Sequence, residues 1–252
     1  MVQKILLVDA LNLVRRIYEA RGGAGGDECI LACRQSLQRA LQDQLPSHGV
    51  VVWDSPMTTW RHLLDDRYKA NRDPTPQALL DLVPELTRQF EELGITSLTI
   101  DNYEADDVIA TLAVGIAANQ GESIIVSSDK MFYQLLRPGI RVFHHFDRRF
   151  IESDEVCDKF QLEISQLVDY WALSGDNSNN IKGVAGIGKK RATELLQQYC
   201  SLDVMLDEPS LKRLQADPDQ AVKCQTLVAL KLDVSLGINL QQLRLKPSVS
   251  SN

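Results

Sequence analysis

The chain lacks the features that would tie it to a membrane or an oxidising compartment. No apolar run among its 252 residues reaches the roughly 20 needed to span a bilayer. Its start, Met1-Val2-Gln3-Lys4, enters a short strand-like run without the apolar core or small-residue cleavage site of a secretory signal, so cytoplasmic residence is expected. Cysteine is sparse and odd in number: Cys29, Cys33, Cys157, Cys200 and Cys224, with no C-x-x-C pair. Cys29 and Cys33 fall on one helix face and read as buried thiols, which argues against a disulfide framework or a zinc site. His48, His62, His144 and His145 form no H-E-x-x-H or H-x-x-x-H pattern, so no histidine metal site is expected. An excess of positive charge is missing too. Lys and Arg number 27 against 34 Asp and Glu, a net charge of −7. That excludes a general electrostatic grip on nucleic acid, though not a local basic patch. Gly22, Gly23, Gly25 and Gly26 form a flexible loop that no strand leads into, so no nucleotide cofactor is expected. Repeats and low-complexity tracts are absent, and the polar tail Ser248–Asn252 is expected to fray.

What is present suits a folded enzyme. Hydrophobic residues make up 44% and charged residues 24%, enough for a core and too few charges for disorder. Strand-like apolar runs at Lys4–Val8, Val50–Trp53, Ser97–Ile100, Ser123–Val126 and Ile140–Phe143 alternate with helical patterns. The helical stretches are Leu11–Ile17, Glu28–Gln44, Pro76–Leu93 and Ala105–Ala118. This alternation predicts an α/β fold with a mainly parallel central sheet flanked by helices. After about residue 152 the pattern is helical only: Glu152–Phe160, Ser165–Leu173 and a helix from Lys189. The expected division is an α/β core over 1–151 and a helical region over 152–252.

Three constellations carry chemistry. Glu104-Ala105-Asp106-Asp107 packs three carboxylates into four residues, which repel one another unless a cation sits among them. An oxygen-loving divalent ion, Mg²⁺ or Mn²⁺, answers that need. Asp9, Asp54 and Asp129 each end an apolar run, and Asp176 lies in a Gly/Asn/Ser-rich loop. Parallel sheets gather such strand ends at one edge, where ligands bind. Taken singly, such acids serve as helix caps or complement a helix dipole; their number is what points to metal. Next, Gly183-Val184-Ala185-Gly186-Ile187-Gly188 opens a helix that begins Lys189-Lys190-Arg191. Cations there oppose the helix dipole, and an anion docked on the free N–H groups would explain them. The pattern is that of a helix-hairpin-helix gripping a phosphodiester backbone; the alternative is an ordinary tight interhelical turn with solvated lysines. Last, Ser55–Thr75 carries Arg61, His62, Arg67, Lys69 and Arg72 among Trp60 and Tyr68 without apolar periodicity. Such a segment is either a solvated loop or a functional one. In the second case Lys69 and Arg72 orient a scissile phosphate and Tyr68 stacks on a base.

Assembled, these residues resemble the 5′-nuclease (flap endonuclease) family. The resemblance runs from Ile5 to about Leu202. It rests on Leu7-Val8-Asp9-Ala10-Leu11-Asn12, Val52-Trp53-Asp54, Trp60-Arg61-His62 and Tyr68-Lys69-Ala70-Asn71-Arg72. It continues through Glu104-Ala105-Asp106-Asp107, Ser127-Ser128-Asp129-Lys130, Tyr133-Gln134-Leu135-Leu136 and Gly175-Asp176 with the glycine hairpin. No polymerase segment follows, as in the free-standing members. The resemblance implies a Mg²⁺-dependent endonuclease that cuts 5′ flaps of branched DNA and leaves a 5′-phosphate. It implies a helical arch over about 55–75 and a helix-hairpin-helix over about 165–200. Asp9, Asp54, Glu104 and Asp106 would form a first metal site, with Asp107 bridging toward a second at Asp129 and Asp176. The main-chain carbonyls of Leu173, Ser174, Lys182, Val184 and Ile187 would hold K⁺. Gly186, Ile187, Gly188, Lys189, Lys190 and Arg191 would contact DNA. A monomer is expected.

The chain also departs from the family pattern. Where that pattern has two further acids, this chain has Met131 and Asn179. Methionine is a poor Mg²⁺ ligand and an asparagine carbonyl is uncharged, so the second site is expected to be weak. A non-catalytic binder of branched DNA and a PIN-like ribonuclease are the alternatives.

Overall fold

The computed structural model describes residues 3–23 and 26–246; Gly25 and the tail Ser248–Asn252 lie outside the described residues. Six strands form one sheet: β1 (Lys4–Asp9), β2 (His48–Val52), β3 (Thr96–Leu98), β4 (Glu122–Val126), β5 (Ile140–His144) and β6 (Arg149–Ile151). Their order is β3-β2-β1-β4-β5-β6. The first five run parallel. The strand β6 pairs antiparallel with β5 and was not expected; it is only three residues long, and too short a run to show a period.

Strands buried on both faces need apolar residues at every position. The run Ile5-Leu6-Leu7-Val8 supplies them, and all four are fully buried. Ile5 and Leu7 join one core with Val50, Val52 and Ile125. Leu6 and Val8 join the other with Val51 and Ile124. On the second face lie α1 (Ala10–Ala20), α2 (Asp27–Gln44) and, after the short α3 (Trp60–Leu64) and α4 (Gln77–Leu80), α5 (Val83–Glu92). Cys29 and Cys33 are buried there as free thiols. The expected single helix over Pro76–Leu93 is broken between α4 and α5. Pro84 stands in the first turn of α5, where it needs no N–H but cannot continue a preceding helix.

The first face is covered by α6 (Ala105–Ala118) and by the helical region that follows β6. That region comprises α7 (Ser153–Phe160), α8 (Leu167–Ser174), α9 (Lys189–Tyr199), α10 (Leu202–Leu206), α11 (Lys212–Gln215) and α12 (Pro218–Val228). Trp171, Leu196, Met205 and Leu227 share one continuous apolar core with Val108 and Ile109 of α6. Register brings the carboxyl ends of the central strands level: Val8 stands beside Val51 and Val126. The chain runs outward from β1 through β2 to β3 on one side, then crosses back through α6 to β4 on the other; such a switch between β1 and β4 opens a crevice at that edge.

Candidate active site

Each acid is placed by a local backbone need. Asp9, the last residue of β1, caps α1 by accepting from the Asn12 N–H at 3.2 Å. Its second oxygen accepts from the Ser127 hydroxyl at 2.9 Å. Asp54 accepts from the Ala105 N–H at 2.7 Å, at the start of α6. Asp129 follows β4 and caps a 3-10 turn over Lys130–Leu135, accepting from the Met131 N–H at 2.8 Å. Asp106 sits in the first turn of α6 and keeps some exposure.

These four carboxylates feel one another. Burial first, then Asp54, pushes the Asp9 carboxyl up to about 7, against the lowering by Asn12 and Ser127. Burial, then Asp9 and Asp129, holds Asp106 well above the usual carboxylate range, and Lys69 only partly offsets this. Burial likewise raises Asp54 despite Lys69. The group is short of positive charge. All donors are oxygens, which is the chemistry of a hard divalent cation. Among the described residues no three His, Cys, Asp or Glu side chains stand close enough together to hold a metal ion between them. Mg²⁺ keeps several waters and takes only one or two carboxylates directly, so an open acidic bowl fits it.

Glu104 is held differently. It accepts from Arg61 Nη1 at 2.9 Å, from the Tyr68 hydroxyl at 3.0 Å and from Lys69 Nζ at 2.5 Å. Burial alone would raise its pKa, but Lys69 and Arg61 outweigh that and keep it low. It therefore stays an anion facing the bowl.

Asp107 does not join this group. It is fully buried and accepts from Trp60 Nε1 at 2.8 Å, from Arg61 Nη1 and Nη2 at 2.7 and 2.8 Å, and from the Lys231 N–H at 2.9 Å. The expected bridging role is revised accordingly: its oxygens are committed to protein donors. Arg61 is 2% exposed and also donates to the carbonyls of Leu227 at 2.9 Å and Ala229 at 3.0 Å. All five N–H donors of the guanidinium are thus used. It fastens α3, the start of α6 and the end of α12 together. Nothing in its sequence context separated it from a solvated arginine.

The segment expected to form a helical arch, about 55–75, carries the short α3 and packs against Glu104 and the Asp176 loop. Tyr68 is buried and its hydroxyl donates to Glu104, so it offers no face for a base, contrary to the expected stacking. Lys69 takes a left-handed backbone, φ 55°, and its N–H donates to the Asn179 carbonyl at 2.9 Å. Arg72 donates to the Ser178 carbonyl and to Asn179 Oδ1, both at 2.8 Å. Asn71 and Asn180 add bonds to Asn177 and Arg67. The segment is thereby latched onto the loop that carries Asp176.

Asp176 is buried and well supplied with donors. Lys130 Nζ at 3.0 Å, the Ser178 hydroxyl at 2.7 Å and Asn179 Nδ2 at 2.8 Å all donate to it. Burial raises its pKa, yet Ser178 and Lys130 bring it below the usual value. Met131 is buried in the apolar core and presents no oxygen. Lys130 thus stands as a positive partner at Asp176, a role its sequence context did not reveal.

The hairpin lies between α8 and α9. Gly175 and Gly183 have φ of 78° and 68°. A Cβ on Gly183 would stand 2.4 Å from the Gly175 nitrogen and 2.6 Å from the Leu173 oxygen, so only glycine permits the two backbone segments to touch. That contact brings the carbonyl-bearing stretches at Leu173–Ser174 and Lys182–Val184 together, while Val184 and Ile187 bury their side chains. Gly188 caps α9 without a side-chain acceptor, which leaves the first N–H groups of an eleven-residue helix available. Lys189, Lys190 and Arg191 are exposed there. Arg213 Nη1 donates to the Gly186 carbonyl at 2.5 Å and adds a cation that sequence spacing did not single out.

A mainly parallel sheet with acids gathered at its carboxyl edge, and a glycine hairpin between helices, is the arrangement of a nuclease. Residues 4–161 match the family described as 5′-3′ exonuclease, N-terminal resolvase-like domain. Residues 162–250 match the 5′-3′ exonuclease, C-terminal SAM fold. The chain belongs to the 5′-3′ exonuclease family and is a nuclease. It is 41% identical over 256 residues to the flap endonuclease Xni of Psychromonas ingrahamii, covering 97% of this chain and 98% of the relative. It is also 41% identical to the Xni of Yersinia pestis, covering 96% and 98%. Among solved structures, bacteriophage T5 5′-exonuclease with zinc ions superposes with a TM-score of 0.79 at 20% identity, covering 90% of this chain and 89% of the other. The T5 flap endonuclease in a complex with DNA and metal ions gives 0.77 at 22%, with the same coverage. No helix among the described residues is long and apolar enough to cross a membrane.

Proposed function

We propose that the chain is a structure-specific DNA endonuclease that hydrolyses phosphodiesters at 5′ flaps, with Mg²⁺ as its divalent ion. The observation that carries this reading is the set of mutually repelling carboxylates, Asp9, Asp54, Asp106 and Asp129, at the crevice beside a basic hairpin. Asp106, Asp9 and Asp54 would hold the ion, partly through water, with Glu104 anchored at the rim. Once bound, the ion supplies Lewis-acid stabilisation of the phosphate and a more acidic water. Lys69, already against Glu104, offsets charge building on the scissile phosphate. Arg72, on the latched segment, steadies the same phosphate.

The hairpin supports the DNA side of this reading. The carbonyls of Leu173, Ser174, Lys182, Val184 and Ile187 form the candidate K⁺ set, and Gly186–Arg191 the candidate contact with a duplex backbone. Exchanging K⁺ for Li⁺ should weaken duplex binding without changing the Mg²⁺ requirement for cutting.

The deciding experiment is single-turnover cleavage of a 5′-flap DNA by parental protein and Asp106→Ala across a wide Mg²⁺ range. Parental cutting lost in the variant is expected; equal rates would refute the assignment. A second reading is a branched-DNA binder without chemistry. It draws support from Met131 in the core and Asp176 neutralised by Lys130. Tight flap binding with no parental cleavage at any Mg²⁺ concentration would favour it. Preference for an RNA flap would favour a ribonuclease.

A further inference from the structure

Three lysines from three separate elements meet at one cavity outside the acidic bowl. The cavity measures about 300 Å³ and is lined by Lys130, Lys159 and Lys189, with Phe160, Tyr170 and Asp176 among its other walls. Lys159 stands in the last turn of α7, where a cation suits the helix dipole. Lys189 stands in the first turn of α9, where it opposes the dipole. Lys130 reaches in from the 3-10 turn after β4 and bonds Asp176.

The charge does not balance. Asp176 is the sole acid in the lining, and it is already neutralised by Lys130. Among the described residues neither Lys159 nor Lys189 has an ion-pair partner. Two exposed lysines without an ion-pair partner therefore line a half-open cleft. The floor is aromatic: Phe160 and Tyr170 meet edge to face at 5.2 Å, and the Lys159 ammonium lies 5.7 Å from the Phe160 ring centre. Cations above an apolar floor suit a group with a charged end and a less polar body.

We infer that this cavity receives one backbone phosphodiester of the bound DNA, with the adjoining sugar against the aromatic floor. DNA is favoured as occupant because the lining is continuous with two elements of the proposed interface. Lys189 belongs to the hairpin, and Asp176 belongs to the loop beside the bowl. The cavity therefore gives the strand a third point of attachment and fixes its direction between hairpin and bowl. A cavity of this size is near the lower limit for ligand pockets, about 300 Å³, which suits a small charged group rather than a whole ligand. The inference rests on the proposed function, since it assumes a DNA partner.

Lys159→Gln tests it, because Lys159 makes no ion pair and touches none of the bowl acids. Binding of a fluorescent 5′-flap DNA is measured by anisotropy across a salt series, and cleavage at saturating enzyme. The variant should bind about 3- to 10-fold more weakly near physiological salt. Its slope of log K against log salt should be shallower by about 1. The saturated single-turnover rate should stay within about twofold, and Lys159→Arg should restore binding. Parental affinity and slope in Lys159→Gln, or a loss confined to the cleavage rate, would overturn the inference alone. Parental protein that binds no DNA would overturn the function beneath it as well.

Discussion

Removing one buried charge from the bowl should make the metal-free protein more stable, not less. Asp9 is 6% exposed, and its carboxyl is pushed from 3.8 up to about 7. A carboxyl whose pKa is higher folded than unfolded holds its proton more tightly in the native state. Stability then falls as pH rises from about 4 to 7 and stays low above that. At pH 8 the full shift costs about 4 kcal/mol, which for a chain of this size corresponds to roughly 8–16 °C in Tm. Asp9→Asn keeps an oxygen to cap α1, and the Ser127 hydroxyl can turn to accept from the new amide. In EDTA at pH 8 the variant should therefore melt several degrees above the parent, with the gap closing toward pH 4. Mg²⁺ should narrow this gap to about 1 kcal/mol without reversing it. At 100 times its Kd the ion adds about 2.7 kcal/mol to the parent and little to the variant. Thermal scans at several pH values, with EDTA or Mg²⁺, read both effects. A variant melting at or below the parent in EDTA at pH 8, with an equal Mg²⁺ shift in both, would refute the electrostatic reasoning.

Other perturbations separate structural from chemical roles. Arg61→Met leaves Asp107 buried without its cation and Glu104 with Lys69 alone, and urea unfolding should show a loss of about 3–5 kcal/mol. Asn179→Asp puts a second acid beside Asp176 and draws Arg72 closer; the Mg²⁺ concentration for half-maximal single-turnover cutting should fall, and an unchanged value would argue against a weakened second site. Gly183→Ala forces a Cβ to 2.4 Å from the Gly175 nitrogen, so duplex binding measured by anisotropy should collapse while Mg²⁺-induced stabilisation persists.

The strand-end acids were legible because an acid closing an apolar run has few reasons to be there. Asp9, Asp54 and Asp129 all stand where that rule put them, at or just past the ends of β1, β2 and β4. The same rule could not separate Asp106 from Asp107. Successive helix positions are turned by about 100°, so one carboxylate faces the crevice and the next faces the core. Sequence spacing carries the turn but not which side is which. Arg61 and Tyr68 were illegible for a related reason. A basic and aromatic segment without apolar period looks the same whether it faces water or closes over buried carboxylates. Only the arrival of Leu227 and Ala229, more than 160 residues later, decides the matter for Arg61. The glycine hairpin was legible as a turn, since Gly175 and Gly183 sit where backbones must touch. The Lys130 bond to Asp176 was not, because it joins residues 46 apart in the chain.

One guanidinium ties the rim glutamate to carbonyls near residue 228. Pulling the end of α12 away would strip that guanidinium of two acceptors and loosen its hold on two buried carboxylates at once. The helical region is thereby a clasp on the acidic rim: it cannot be lifted off without leaving charge stranded beneath it.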